Sequence, residues 1–340
     1  MATQALHQAW GEYQLYSLHN AQGSRVDVSD LGATIVNFWV RGGNEKPVNV
    51  VMGFASPEHY FATRTYMGAV VGPWANRIRA GRFELDGRTV QLAVNENGNH
   101  LHGASGGLHL RRWRVLGHDR HTLTLACEVA AGEAGYPANL QVTLTMTFDD
   151  ENRLLLDYQA SVDRLAPINL TQHSYFNLSG GEVGIAEHLL SVAAHHYLAI
   201  DAGLLPTARL PVAGSAMDLR LPVRLGERID SDEAQVALVG GFDHCWCLDQ
   251  SSEPAARLVC PHSGLALMVQ TDQPGIQVYT GNALSGEVGH EERRYGKHSG
   301  ICLETQSYPD QVNMPLLKGD CLYSPQRAYH QRTSFQLLTL

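Results

Sequence analysis

The stretch LQVTLTMTF, residues 140–148, alternates without a fault. Leu140, Val142, Leu144, Met146 and Phe148 are apolar, and Gln141, Thr143, Thr145 and Thr147 between them are polar. A period of two sends successive side chains to opposite faces of a strand, so the run predicts a strand with one face in a core. RLLLDYQASV, residues 153–162, follows in the same rhythm with Leu154, Leu156, Tyr158, Ala160 and Val162. The intervening DDEN is turn chemistry, and the two runs predict a hairpin. RFELDGRTVQL predicts a second hairpin, with Asp86-Gly87 where a type I′ turn needs them. Further strands are expected in RVDVSDLGATIVNFWV, HTLTLACEV, LALMVQTD and GIQVYTGN. SPEHYFA reads as one or two helical turns, with Ser56 as cap and Pro57 at the first helical position.

Many strands, frequent turn residues and almost no helix point to an all-β protein: a large antiparallel β-sandwich with few short helices. No Gly/Ser linker, charge run or fixed-period repeat divides the chain, so residues 1–340 are expected to form a single domain. The net charge of −9 and the lack of a Lys/Arg run longer than two argue against a nucleic-acid partner. The start lacks a basic segment followed by an apolar one, and no later stretch has the length of a membrane span, which predicts a cytoplasmic protein with no membrane partner. Cys127, Cys260, Cys302 and Cys321 lie in or beside apolar runs and read as core residues; Cys245 and Cys247 lack the second pair of a zinc ribbon. Histidine is abundant at 17, yet no H-E-x-x-H pattern appears, so no metal site is expected.

Several short stretches break the strand grammar by packing polar, aromatic and glycine residues together, as binding loops do. They are GPWANRIRAG (72–81), NHLHGASGG (99–107), NLTQHSYFNLSGG (169–181), GGFDHCW (240–246), QPGIQVYTGN (273–282) and KHSGICLETQSYPDQVN (297–313). None is a phosphate loop or a nucleophile elbow. Their side chains suit a polyhydroxylated ligand, and Trp74, Tyr175 and Trp246 are candidates to stack on a sugar face. In this order and spacing, together with GEAGYPANL (132–140), the stretches resemble the aldose 1-epimerase (galactose mutarotase) family over essentially the whole chain.

The resemblance implies a galactose mutarotase-like β-supersandwich whose open face holds one small-molecule sugar, with no metal and no cofactor, as a monomer or homodimer. Position by position, Glu304 of LETQ matches the catalytic base and His173 of QHSYFNL the catalytic acid. Asn76 and Arg77 of NRI, His102 of LHG, Tyr175 of HSY, Asp243 of FDH and Gln277 of GIQVYTG match sugar-contacting positions, and His100 reads as a loop residue. Two departures touch the expected pocket wall: LHGA, Gly103-Ala104, where the family commonly has two glycines, and Pro73-Trp74 ahead of NRI. The implied reaction interconverts α and β anomers of free hexoses such as D-galactose and D-glucose. It removes the C1 hydroxyl proton while protonating the ring oxygen, work for a positioned base and acid. Glu304 is expected to be ionised at neutral pH, with a neighbouring anion, Asp243 or Glu304, holding the proton on His173. The pH–rate profile is then a bell with Glu304 on the acid limb and His173 on the basic limb. The alternatives are a hexose 6-phosphate epimerase, with Arg77, Arg79 and Arg82 as phosphate contacts, a non-catalytic sugar-binding module, and a β-sandwich lyase or hydrolase using Glu304 and Asp243.

Overall fold

The computed structural model describes residues 6–249 and 254–340, and strands dominate it. Leu140–Phe148 pairs antiparallel with Arg153–Val162, Leu140 opposite Val162 and Phe148 opposite Leu154. All ten apolar residues of the two alternating runs are buried. Full burial of a Val, Leu, Phe or Met side chain contributes roughly 1.5–3 kcal/mol, which fixes the register, since a slip of one residue would expose the whole set. Asp149 Oδ1 closes the turn by accepting the N–H groups of Glu151 and Arg153. The second hairpin joins Arg82–Leu85 to Arg88–Gln91, and both turn residues have positive φ, 48° at Asp86 and 71° at Gly87, as a type I′ turn requires.

Three antiparallel sheets make the body. Nine strands run in the order 114–118, 122–129, 140–148, 153–162, 329–339, 265–271, 256–260, 189–192 and 223–224. Six run in the order 175–176, 301–306, 275–279, 243–247, 196–200 and 206–211. Five form a meander from His7 to Asn49. One apolar core joins all three: Phe38 of the meander meets Phe148 edge-on at 5.5 Å, and Phe176 of the six-stranded sheet meets Phe335 at 5.1 Å. The α-helices among the described residues are short: Pro57–Ala62, Gly226–Ile229 and Ala234–Val239. None is long and apolar enough to cross a membrane. Ser56 does precede the first helix, but its hydroxyl meets His59 Nδ1 and makes no side-chain cap. All six cysteines are buried thiols.

Period-two alternation gives the six-stranded sheet two different faces. Ile301 and Leu303, with Val278, Ile276, Trp246 and Phe176 from neighbouring strands, point into the main core. Cys302 and Glu304 point the other way, where cross-strand pairing sets Glu304 beside Gln277, and Cys302 beside Tyr279 and Tyr175. Asp243 lies opposite Tyr279 on the same face.

Three expectations fail here. Trp246 is fully buried, with its indole N–H donated to the Met217 carbonyl, and Trp74 is fully buried under Ile78, Phe83 and Leu92. Neither ring offers a face to a sugar; both serve the core. His100 is not a loop residue but pairs with Ile78 in a two-residue strand, fully buried, its ring between the Ala93 carbonyl and the Tyr136 hydroxyl at 2.7 Å each.

Candidate active site

A cleft of about 360 Å3 opens over the polar face of the six-stranded sheet. That volume is in the usual range for small-molecule sites. Glu304, Asp243 and Tyr175 come up from the sheet, and Asn76, Arg77, His102 and His173 close over them from loops and two-residue strands. Seven of the eight residues singled out in the sequence thus line one cleft. The eighth, Gln277, is 3% exposed and donates its amide N–H to Asp243 Oδ1 at 2.7 Å, one step behind the lining.

The loop side is held by its own hydrogen bonds. Arg77 pairs with Leu101 in a short antiparallel ladder. On either side of that ladder, Asn76 and His102 both take left-handed φ, 64° and 51°. The Asn76 N–H donates to His102 Nδ1 at 3.1 Å, and Asn76 Oδ1 accepts the Arg77 N–H at 2.8 Å. A neutral His102 therefore carries its proton on Nε2 and presents a donor to the cleft. Single ligand atoms of His102, His173 and Glu304 lie within 4.8 Å of one another, a spacing a metal ion could bridge. The His102 tautomer leaves no free lone pair for coordination, so the trio fits sugar hydroxyls better than a cation.

His173 is fixed through its backbone: its N–H donates to the Ala69 carbonyl and its carbonyl accepts the Gly68 N–H, both at 2.9 Å. Its ring stacks on Tyr175 at 5.3 Å and meets His102 edge-on at 5.3 Å. Nδ1 faces the Cys302 thiol at 3.5 Å, and Nε2 lies 3.7 Å from Glu304 Oε1. Glu304 is 2% exposed, and its Oε2 has no protein partner.

Electrostatics in the cleft follow from burial. Desolvation pushes the Glu304 carboxyl well above its usual range; Asp243 adds to this and Arg77 opposes it. Asp243 is also raised, by burial first, against the pull of Arg77 and Gln277. Burial lowers His173 to about 4 and drives His102 well below its ordinary value. The expectation that a nearby anion keeps His173 protonated is corrected: loss of solvent lowers it, His109 adds to this, and a backbone hydrogen bond opposes it. Arg77 stays charged, because Asp243 and Glu96 more than offset the cost of its burial.

Sequence reading missed Glu96, Tyr66 and Tyr279, which also line the cleft. Tyr279 was legible as the residue two places beyond Gln277, on the same strand face. Asn97-Gly98, a hairpin dipeptide, marked the tight turn that carries Glu96. Tyr66 gave no sequence signal; its ring packs between His102 at 4.6 Å and His109 at 4.7 Å.

The family model for aldose 1-epimerase matches residues 14–336. The chain belongs to the aldose 1-epimerase family. It is 40% identical to the galactose mutarotase of Rattus norvegicus over 333 residues, covering 96% of this chain and 94% of that one. Among solved structures, an aldose epimerase homologue from C. elegans superposes with a TM-score of 0.90 at 25% identity, covering 96% of this chain and 99% of that one. Galactose 1-epimerase from Lactobacillus acidophilus NCFM superposes with a TM-score of 0.85 at 30% identity, covering 96% and 95%. The galactose mutarotase fold is thereby shown. Within this family member the two sequence departures lie off the cleft wall. Trp74 supports Arg77 from beneath, donating its indole N–H to the Arg77 carbonyl at 3.3 Å. Ala104 occupies a left-handed position, φ 50°, behind His102.

Proposed function

We propose that the cleft interconverts the α and β anomers of free hexoses such as D-galactose and D-glucose, with Glu304 as general base and His173 as general acid. The reading is carried by the 3.7 Å approach of His173 Nε2 to Glu304 Oε1, which lets the two reach adjacent oxygens of one pyranose. Glu304 takes the proton of O1–H while His173 gives one to O5. The C1–O5 bond breaks and C1=O1 forms. The open aldehyde turns about C1–C2 and closes on its other face; Glu304 returns its proton to O1 and His173 recovers one from O5. While the chain is open, both groups are neutral. That is the protonation state burial favours, so ring opening is downhill for the pair once the proton has passed from Glu304 to His173. His102, Arg77, Asn76, Tyr175 and Asp243 hold the hydroxyls, with Gln277 steadying Asp243.

The similarity to galactose mutarotases supports free hexose as the substrate class. The three arginines expected to clamp a hexose 6-phosphate are not placed for it. Arg77 is engaged by Glu96 and Asp243, Arg79 pairs with Asp201 and Asp310, and neither Arg79 nor Arg82 lines the cleft. The test is anomer exchange of fresh α-D-glucose and α-D-galactose, followed by polarimetry or NMR with and without protein. Glu304→Gln keeps the shape and removes the basicity, and the rate is expected to fall by ~10²–10⁴-fold. A Gln variant that works at near-parent rate removes Glu304 from the role of base.

A further inference from the structure

We propose that Glu96 is a positioning residue for this site: its carboxylate grips one edge of the Arg77 guanidinium and so aims the remaining donors at Asp243 and the sugar. The proposal rests on the reading of the cleft as a hexose site and adds a residue to it. Arg77 Nε and Nη2 each donate to one oxygen of Glu96 at 2.7 Å, a two-pronged pairing of planar groups. Arg77 Nη1 is left 4.0 Å from Asp243 Oδ2. A guanidinium has five N–H donors, so two are committed to Glu96 and three stay available.

The mount of Glu96 is itself rigid. Asn97 and Gly98 both have positive φ, 48° and 81°, and Glu96 and Asn99 bridge across them as in a two-residue hairpin turn. Asn95 ties that turn to the Arg77 ladder: its side chain accepts the Leu101 N–H at 2.7 Å and donates to the Leu101 carbonyl at 3.0 Å. Leu101 is the residue that pairs with Arg77. The carboxylate thus arrives in a fixed place relative to the guanidinium it holds.

Stability alone does not account for the pairing. The Arg77 side chain is 7% exposed and that of Glu96 28%, and a desolvated ion pair typically stabilises no better than apolar packing would. A free Arg77 in this cleft faces two carboxylates, Asp243 and Glu304. Without a fixed third partner it would be free to swing towards either and change the shape of the sugar's cradle. Glu96 removes that freedom by holding the Nε and Nη2 edge of the guanidinium, leaving Nη1 towards Asp243.

The experiment uses the full chain and the variants Glu96→Ala, Glu96→Gln, Arg77→Ala and the double variant Glu96→Ala/Arg77→Ala, with folding checked by circular dichroism. Anomer-exchange kinetics on D-galactose supply kcat and KM. A residue that orients a ground-state contact raises KM and largely spares kcat. Glu96→Ala is expected to raise KM about tenfold, as the loss of a charge-assisted hydrogen bond does, with Gln in between because its amide oxygen still accepts one bond. In the Arg77→Ala background the Glu96 change should cost nothing further. Unchanged KM in folded Glu96→Ala, a fall in kcat at constant KM, or a full Glu96 effect in the absence of Arg77 overturns the proposal. A parent protein that leaves exchange at the spontaneous rate defeats the catalytic reading instead. The galactose Kd of the parent, single and double variants then decides the role of Glu96 by the same criteria.

Discussion

Glu304 and His173 face each other with their ordinary acidities turned round. Burial raises the carboxyl and lowers the imidazole to about 4, so one proton is shared by the pair, and it rests on the carboxyl when the cleft is free of sugar. For the proposed roles the shifts act in two senses: the carboxylate becomes a stronger base and the imidazolium a stronger acid, but that form requires the proton to pass from Glu304 to His173 and is the minor one. The apparent constants belong to the pair rather than to either residue. The acid limb of kcat/KM then marks entry of a second proton at His173, and the basic limb marks loss of the shared one. The limbs therefore exchange owners relative to the reading from reference acidities. Activity should persist well below pH 6.5 and fall only towards about pH 4, read from initial anomer-exchange rates across pH. An acid limb centred at 6.5, the value of a solvated histidine, would contradict control by burial. The motifs singled out these two residues, which the fold brings within 3.7 Å, but not their charge. Acidity depends on how much solvent the fold removes, and no local run of residues carries that information.

At the scale of elements, the strand Ile301–Gln306 shows what a pattern can tell. Its alternation separates Ile301 and Leu303, which face the main core, from Glu304, which faces the cleft, and Cys302, which packs with Met52, Phe54 and Tyr175 in a smaller apolar cluster. The tryptophans misled because an aromatic in a polar stretch looks exposed, whereas Trp74 is buried beneath its loop and Trp246 takes the core face of its strand. Loops conceal which of their residues point inward, since they lack a period to read. Two glycines make the same point. Gly87 and Gly103 both take positive φ, 71° and 86°, but a Cβ at Gly87 meets nothing within 4 Å, while one at Gly103 would lie 2.1 Å from the Gly72 carbonyl oxygen and 2.7 Å from Gly107 Cα. Gly87→Ala should cost only the left-handed penalty, about 1 kcal/mol, and leave activity intact. Gly103→Ala adds a backbone clash, should cost roughly 2–4 kcal/mol, and should lower activity by displacing the adjacent His102. Urea midpoints and exchange rates for the two variants test the contrast. Equal costs would mean that the contacts around Gly103 are softer than the packing indicates.

At the scale of the whole molecule, the abundance of histidine has a consequence beyond the cleft. Burial comes first among the causes that lower ten of them: His19, His100, His102, His109, His118, His173, His188, His244, His290 and His298. His100, His109 and His188 lie at about 4, like His173, and His244 at about 3. A histidine lowered by folding contributes stability that is present above its unfolded value near 6.5 and is lost as pH falls towards the folded value. Between those limits the unfolded chain binds protons that the folded chain refuses. Among the described residues four carboxyls, Asp30, Asp243, Glu304 and Asp310, are raised by burial and act in the opposite sense, because the folded chain takes up protons there first. Ten groups against four leave a net uptake on unfolding. Each net proton is worth about 1.4 kcal/mol per pH unit. The urea midpoint should therefore drop steadily as pH is lowered from 7 to 5, before most carboxylates titrate. Replacing His244, which stands in the six-stranded sheet with its Nε2 buried and unpartnered and its Nδ1 accepting the Asp243 N–H, by Gln should flatten that slope. A midpoint constant over this range would mean that the buried imidazoles gain their protons without unfolding, and that the core admits water more freely than its packing suggests.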